Sequence, residues 1–152
     1  SPIFVNSKIK NMKQTLLSLC LLACFSYGCQ KKDITVPDSS LNGLFGSWDL
    51  VMKSGGFSGG VQTPLTMGYQ QSLKFTKEGR CYTYKDGSRT GQDNFEFEYQ
   101  AQGTNAPYEM HYIIKYKEQS FSQWVHIQND TLFLDDAFCN DCYSYLYVKQ
   151  PD

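Results

Sequence analysis

What this chain lacks narrows its reading before any motif is considered. It has few helix-favouring runs; its eleven tyrosines and ten phenylalanines fall in short segments, which points to β structure. Its one sustained apolar stretch, Leu16 to Phe25, is too brief to span a bilayer comfortably. There is no Gly-x-Ser-x-Gly or His-Glu-x-x-His motif, and no pair of carboxylates falls on the apolar faces described below, so catalysis is not expected. No cofactor is implied. No basic run interleaves with aromatics, which sets nucleic acid aside as a partner. Internal repeats and low-complexity tracts are absent too.

What is there begins with an address. Met12-Lys13 opens a leucine-rich run that ends at Ser26-Tyr27-Gly28-Cys29 and passes directly into Gln30-Lys31-Lys32-Asp33. A short basic start, a brief apolar core and a small residue at its end describe a secretory signal. Residues 1–11 precede its methionine and read as upstream sequence, with the signal over 12–28. Gly28-Cys29 resembles the lipobox of bacterial lipoproteins, in which the cysteine is lipidated and becomes the mature N-terminus. Leu21-Leu22-Ala23-Cys24 is a competing lipobox with better flanking residues, but the polar switch falls after Cys29. The resemblance implies an envelope protein held by lipid in the outer membrane. A mature chain from Cys29 has 124 residues, enough for one domain. It keeps eleven basic against fifteen acidic residues, a formal charge of −4. Residues 29–43 are mostly polar and aperiodic and read as a tether, leaving 44–152 as the domain.

From Gly46 onward the chain divides into eight alternating segments: 47–53, 69–77, 80–85, 93–101, 108–117, 121–128, 131–135 and 143–149. A two-residue turn at Glu78-Gly79 pairs Phe75 with Tyr82 and Leu73 with Tyr84. One at Asn129-Asp130 pairs Ile127 with Leu132 and Val125 with Leu134. A loop over Lys117 to Ser120 pairs Tyr116 with Phe121, Tyr112 with Val125 and Met110 with Ile127. Apolar residues meet apolar residues throughout, and a one-residue slip would turn them to solvent. The expected inward set comprises Trp48, Leu50, Met52, Leu73, Phe75, Tyr82, Tyr84, Phe95, Phe97, Tyr99, Met110, Tyr112, Ile114, Tyr116, Val125, Ile127, Leu132, Leu134, Leu146 and Val148. An antiparallel meander of this kind closes most simply as an all-β, eight-stranded up-and-down barrel, which removes its edges. A two-sheet sandwich is the alternative.

Gly46-Ser47-Trp48 resembles the Gly-x-Trp signature of lipocalins. The stretch Leu44 to Val51, the glycine loop Gly55-Gly56-Phe57-Ser58-Gly59-Gly60 and Ser72 to Gly79 together resemble the small lipocalin-like lipoproteins of Bacteroidetes-type bacteria. That resemblance implies that Trp48 lies across the closed end of the barrel beneath a basic residue of the last strand, for which Lys149 stands here. It also implies that the glycine loop (Gly55, Gly56, Phe57, Gly59, Gly60) is a lid over the mouth; the plainer reading is a flexible connection.

The remaining candidates follow from position. A barrel of eight strands is filled by side chains or holds one small ligand; a cavity here would be small and aromatic-walled, lined by Phe75, Tyr82, Tyr84, Phe97, Tyr99 and Tyr112. Cys81, Cys139 and Cys142 lie beyond the signal, and a disulfide is expected either within the Cys139–Cys142 loop or from Cys81 to one of that pair. The hairpin register sets His111 opposite His126 on the outer face, a weak metal candidate without a third ligand. Asp135, Asp136, Asn140 and Asp141 lack the spacing of a calcium loop. Two functions fit: a lipid-tethered module binding a small apolar molecule or glycan, or an interaction protein with a filled core that docks an envelope protein. In the second, Tyr143, Tyr145 and Tyr147 would form an outward stripe.

Overall fold

The computed structural model describes residues 33–100 and 111–151. The signal segment, Cys24, Cys29 and Met110 lie outside them. Nine strands run in chain order: β1 (Gly46–Gly55), β2 (Gly60–Gln62), β3 (Gln71–Phe75), β4 (Arg80–Lys85), β5 (Ser88–Tyr99), β6 (Tyr112–Tyr116), β7 (Ser122–Gln128), β8 (Thr131–Asp136) and β9 (Tyr143–Lys149). Each pairs antiparallel with the next, except that β2 forms a short ribbon on the far end of β1, and β1 also pairs with β3. The sheet closes through β1 and β9. The fold is an eight-stranded up-and-down barrel, as the alternation predicts. A 3-10 turn at Ser39–Leu41 and one four-residue helix, α1 (Pro64–Met67), are the helical content of the described residues.

Two hairpins have the expected register. Asn129-Asp130 pairs Ile127 with Leu132 and Val125 with Leu134, helped by Asn129 adopting φ 55°, which asparagine tolerates. Across Lys117 to Ser120, Tyr112 faces Val125, and the Tyr116 and Phe121 rings stack 4.7 Å apart.

Two strands are turned over relative to expectation. Between β3 and β4 the turn has three residues, Lys77 to Gly79: Thr76 N–H donates to the Arg80 carbonyl and Gly79 N–H to the Thr76 carbonyl. Gly79 takes φ +75°, the left-handed position such loops require. Phe75 therefore faces Cys81 and Leu73 faces Thr83. Tyr82 and Tyr84 point outward, where the Arg89 guanidinium lies 5.5 Å from the Tyr82 ring centroid. In β1 the register with β9 shifts between Leu50, opposite Tyr147, and Met52, opposite Leu146, leaving Val51 as a bulge. Tyr147, opposite Leu50 and Leu132, is a core residue, whereas Val148 is exposed and neither Leu146 nor Met52 joins the core. The tyrosines of β9 do not form the expected outer stripe. Tyr99 keeps to the inner alternation but sits at a strand end, 61% exposed.

The dry core occupies one end of the barrel: Trp48, Leu50, Phe75, Phe95, Ile114, Val125, Leu132 and Leu134, joined from the preceding segment by Leu41 and Leu44. The stretch read as a tether is therefore part of the domain from Ile34, which packs on the β3–β4 turn beside Val36. Outside the barrel, Ile113 and Trp124 face one another across β6 and β7. They are buried in a second small cluster with Phe133 and Ala137.

The Gly79 turn gives a direct test. A Cβ there would collide with the Ile34 side chain and lie 3.3 Å from the Phe95 carbonyl oxygen, whereas one on Gly59, also left-handed, would meet open space. Both substitutions carry the left-handed penalty of about 1–2 kcal/mol. Gly79→Ala is expected to cost roughly 1 kcal/mol more than Gly59→Ala. Urea unfolding of the two variants measures the difference, and equal midpoints would refute the packing of Ile34.

Candidate functional site

The barrel interior changes character along its axis. Trp48 lies across the dry end and its indole N–H donates to the Leu44 carbonyl at 2.7 Å. The Lys149 ammonium sits 5.1 Å from the Trp48 ring centroid and donates to the carbonyls of Gly43 and Phe45, the latter at 3.2 Å. Cation, indole and turning backbone are thereby tied together.

Toward the opposite end the core gives way to a partly open cavity of about 220 Å³. Its walls come from β3 (Gln71, Leu73), β4 (Cys81, Thr83), β5 (Asp93), β6 (Tyr116), the β6–β7 loop (Gln119, Phe121), β7 (Gln123) and β9 (Tyr145, Tyr147). None of the six aromatic residues expected as lining reaches it. The three-residue β3–β4 turn replaces Tyr82 and Tyr84 with the smaller Cys81 and Thr83. The register of β9 against β8, which sets Tyr147 opposite Leu132 and Tyr145 opposite Leu134, brings both tyrosines inward from the other side. Phe75 belongs to the dry core, and Phe97 and Tyr112 pack against it.

The polar walls are fixed by hydrogen bonds. The Tyr116 hydroxyl donates to Gln123 Oε1 at 3.0 Å, and Gln123 Nε2 donates to Asp136 Oδ1 at 2.9 Å. Asp136 Oδ2 in turn accepts the Tyr143 amide at 3.2 Å. Opposite, Gln71 Nε2 donates to the Tyr147 hydroxyl at 3.3 Å, which leaves that phenol's own proton free to donate. Asp93 is 3% exposed and accepts the backbone N–H groups of Glu118 and Gln119 at 3.0 and 3.2 Å. Glu118 reciprocates by accepting from the Asn94 backbone at 2.7 Å and side-chain amide at 2.6 Å. Burial first, and then Glu118, push the Asp93 carboxyl above the usual range. Its neighbour Asp93 and the Asn94 amide hold Glu118 down at about 2.

At the mouth, Lys53 turns inward one place after the bulged strand recovers its alternation, and its ammonium lies 3.7 Å from the Tyr143 ring centroid and 5.5 Å from that of Tyr145. The glycine loop is not a free lid. Gly55 pairs with Gly60, and Gly59 N–H donates to the Gly56 carbonyl in a tight turn. Gly56 N–H donates to the Cys142 carbonyl at 3.1 Å. A side chain at position 56 would strike the Tyr143 ring, so glycine allows this close approach. Phe57 projects from the tip, 96% exposed.

Of the disulfide alternatives, the structure has Cys139 joined to Cys142 within the β8–β9 loop, with Cys81 a buried free thiol. His111 and His126 are held by separate aromatic neighbours, Tyr99 and Phe133, at 6.4 and 5.9 Å between centroids. Among the described residues no three His, Cys, Asp or Glu side chains gather as a metal site. Sequence reasoning missed Gln71, Thr83, Asp93, Gln123, Tyr145 and Tyr147. One signal was present: Asp86-Gly87 is a strong two-residue hairpin marker, and Gly91 inside a strand marks an irregularity. Together they extend β5 back to Ser88 and bring Asp93 opposite Cys81. Compared with protein-family models, curated proteins and solved structures, the chain matches none.

The cavity wall has a consequence at high pH. Burial pushes the Cys81 thiol up from 9.0 to about 12, with the Asp93 charge adding to it. It likewise pushes the Tyr145 phenol up to about 12, and those of Tyr116 and Tyr147 upward. The unfolded chain releases these protons first, so above about pH 9 it binds fewer than the fold does. Stability is therefore complete below pH 9 and falls as the pH climbs toward 12. Urea midpoints across that range measure the fall. A flat profile with phenols titrating normally would contradict the burial.

Proposed function

We propose that this protein is a binding module whose ligand is a small polyhydroxylated molecule, a sugar or a sugar unit of a glycan, held in the open end of the barrel. The cavity carries the reading. At about 220 Å³ it lies below the range of about 300–1,000 Å³ typical of drug-sized ligands, so a single ring suits it better than a lipid chain. Its lining sets the chemistry: Gln71, Thr83, Asp93, Gln123 and the phenols of Tyr145 and Tyr147 present donors and acceptors. An apolar guest would desolvate these groups without replacing their hydrogen bonds, a penalty of about 1–3 kcal/mol for each group left unpaired. Phe121 and the tyrosine rings offer flat faces against which a sugar ring can pack.

Binding without chemistry is supported by Cys81. It is the free thiol of the cavity, and burial keeps it protonated, the unreactive form. A filled core that serves only to dock a partner is less well supported, because the open half of the barrel is neither filled nor apolar. The proposal places the module at a bacterial envelope, carried by lipid on Cys29, or on Cys24. Support for that comes from the signal-like segment and from the resemblance to lipocalin-like lipoproteins.

Calorimetric titration with a panel of neutral and charged monosaccharides tests the ligand class. Saturable binding is expected for at least one sugar. Thr83→Val, which removes one hydroxyl at nearly constant volume, and Gln71→Leu are each expected to weaken it about tenfold, corresponding to about 1.4 kcal/mol. A medium-chain fatty acid binding saturably while every sugar fails would reverse the reading.

A further inference from the structure

We infer that the ligand carries a primary ammonium group, as an amino sugar does, and that Asp93 receives it; this rests on the cavity being a binding site. Asp93 is the one charged side chain among the cavity's lining residues, and it is almost fully buried. Buried charges are ordinarily paired, because leaving one unpaired in a low-dielectric interior is costly. The ion pairs among the described residues are Lys115–Glu98 and Lys117–Glu96, and neither involves Asp93. Lys53, an inward cation at the mouth, is engaged with the Tyr143 and Tyr145 rings.

The two backbone amides that Asp93 accepts, one on each oxygen, fix its orientation without using all of the carboxyl's acceptor capacity. Those amides stabilise the carboxylate without neutralising it. The Glu118 carboxyl is hydrogen-bonded to that of Asp93, so the pair carries at least one negative charge, and neither of the ion pairs among the described residues involves it. The field inside the cavity therefore favours a cation and opposes a carboxylate or phosphate. Phe121, Tyr116 and Tyr145 also line the cavity, and aromatic rings add attraction for an ammonium group. A bare metal ion is a poor alternative, since the described residues bring no third ligating side chain to Asp93 and Cys81.

The test is calorimetry of the purified protein at neutral pH, in an amine-free buffer, with glucosamine, N-acetylglucosamine and glucose. Glucosamine is expected to bind at least about tenfold more tightly than either neutral sugar. In Asp93→Asn that preference should shrink to about twofold, while Glu118→Gln retains most of it. If Asp93 serves only to clamp the loop, the substitution changes stability but not the ratio of affinities, and the inference fails. If glucose binds as tightly as glucosamine to the unmodified protein, the ammonium assignment is overturned while the sugar site stands. If no sugar binds, both fall. Should Asp93→Asn fail to fold, the comparison on the unmodified protein still decides.

Discussion

Everything in this barrel depends on how its first and last strands meet. β1 and β9 close the sheet, and closure admits no free choice of face: each residue is inside or outside for the whole circuit. Trp48, Asp49 and Leu50 pair with Lys149, Val148 and Tyr147 in one register; beyond the bulge, Met52 and Lys53 pair with Leu146 and Tyr145 in another. That single extra residue, Val51, turns Met52 out and Lys53 in. It lets β1 follow β9, whose regular pairing with Leu132 and Leu134 of β8 already turns its tyrosines into the barrel. Bulges are a known means of re-aiming side chains within a continuous ladder. The inner face of β9 thus runs from Lys149 beside Trp48 at the dry end to Tyr147 and Tyr145, which carry hydroxyls where the cavity begins.

The two ends of the interior divide the work. At the dry end, Leu41 and Leu44 from the segment before β1 pack beneath Trp48, and Lys149 ties its turning backbone to the barrel. Each large side chain buried there contributes roughly 1.5–3 kcal/mol, so this end provides the stability. At the open end the barrel gives up apolar packing for Gln71, Thr83, Asp93 and Gln123. A buried polar network is tolerable when its members are satisfied and costly when they are not. Gln123 is satisfied on both sides, by Tyr116 and Asp136. Asp93 has its amide donors and Glu118 but, among the described residues, no ion-pair partner.

Most of the architecture was legible in the chain. Period-two alternation and the turns at Asn129-Asp130 and Lys117–Ser120 are enough for the β6–β7–β8 register. Legibility failed where both faces of a strand carry apolar or aromatic residues, because alternation then has no sign. In β4, Tyr82 and Tyr84 look as suited to the interior as Cys81 and Thr83. In β9, Leu146 and Val148 compete with three tyrosines. Turn length breaks the tie in β4, and Lys77-Glu78-Gly79 reads equally as a two- or three-residue turn. In β9 the tie is broken by its register across the long β8–β9 loop, which local pattern does not encode. The cavity was hidden for the same reason: pattern rules assign glutamine, threonine and aspartate to solvent, so a polar interior reads as exterior.

The central claim is that closure places Tyr147 inside, between β1 and β8. Nuclear Overhauser contacts in the isotopically labelled protein test it most directly. The Tyr147 ring should contact the methyl groups of both Leu50 and Leu132, its partners on the two flanking strands, while Leu146 shows no contact to either. Contacts from Leu146 to Leu50 and Leu132, with the Tyr147 ring in solvent, would reverse β9 and remove the polar cavity with it.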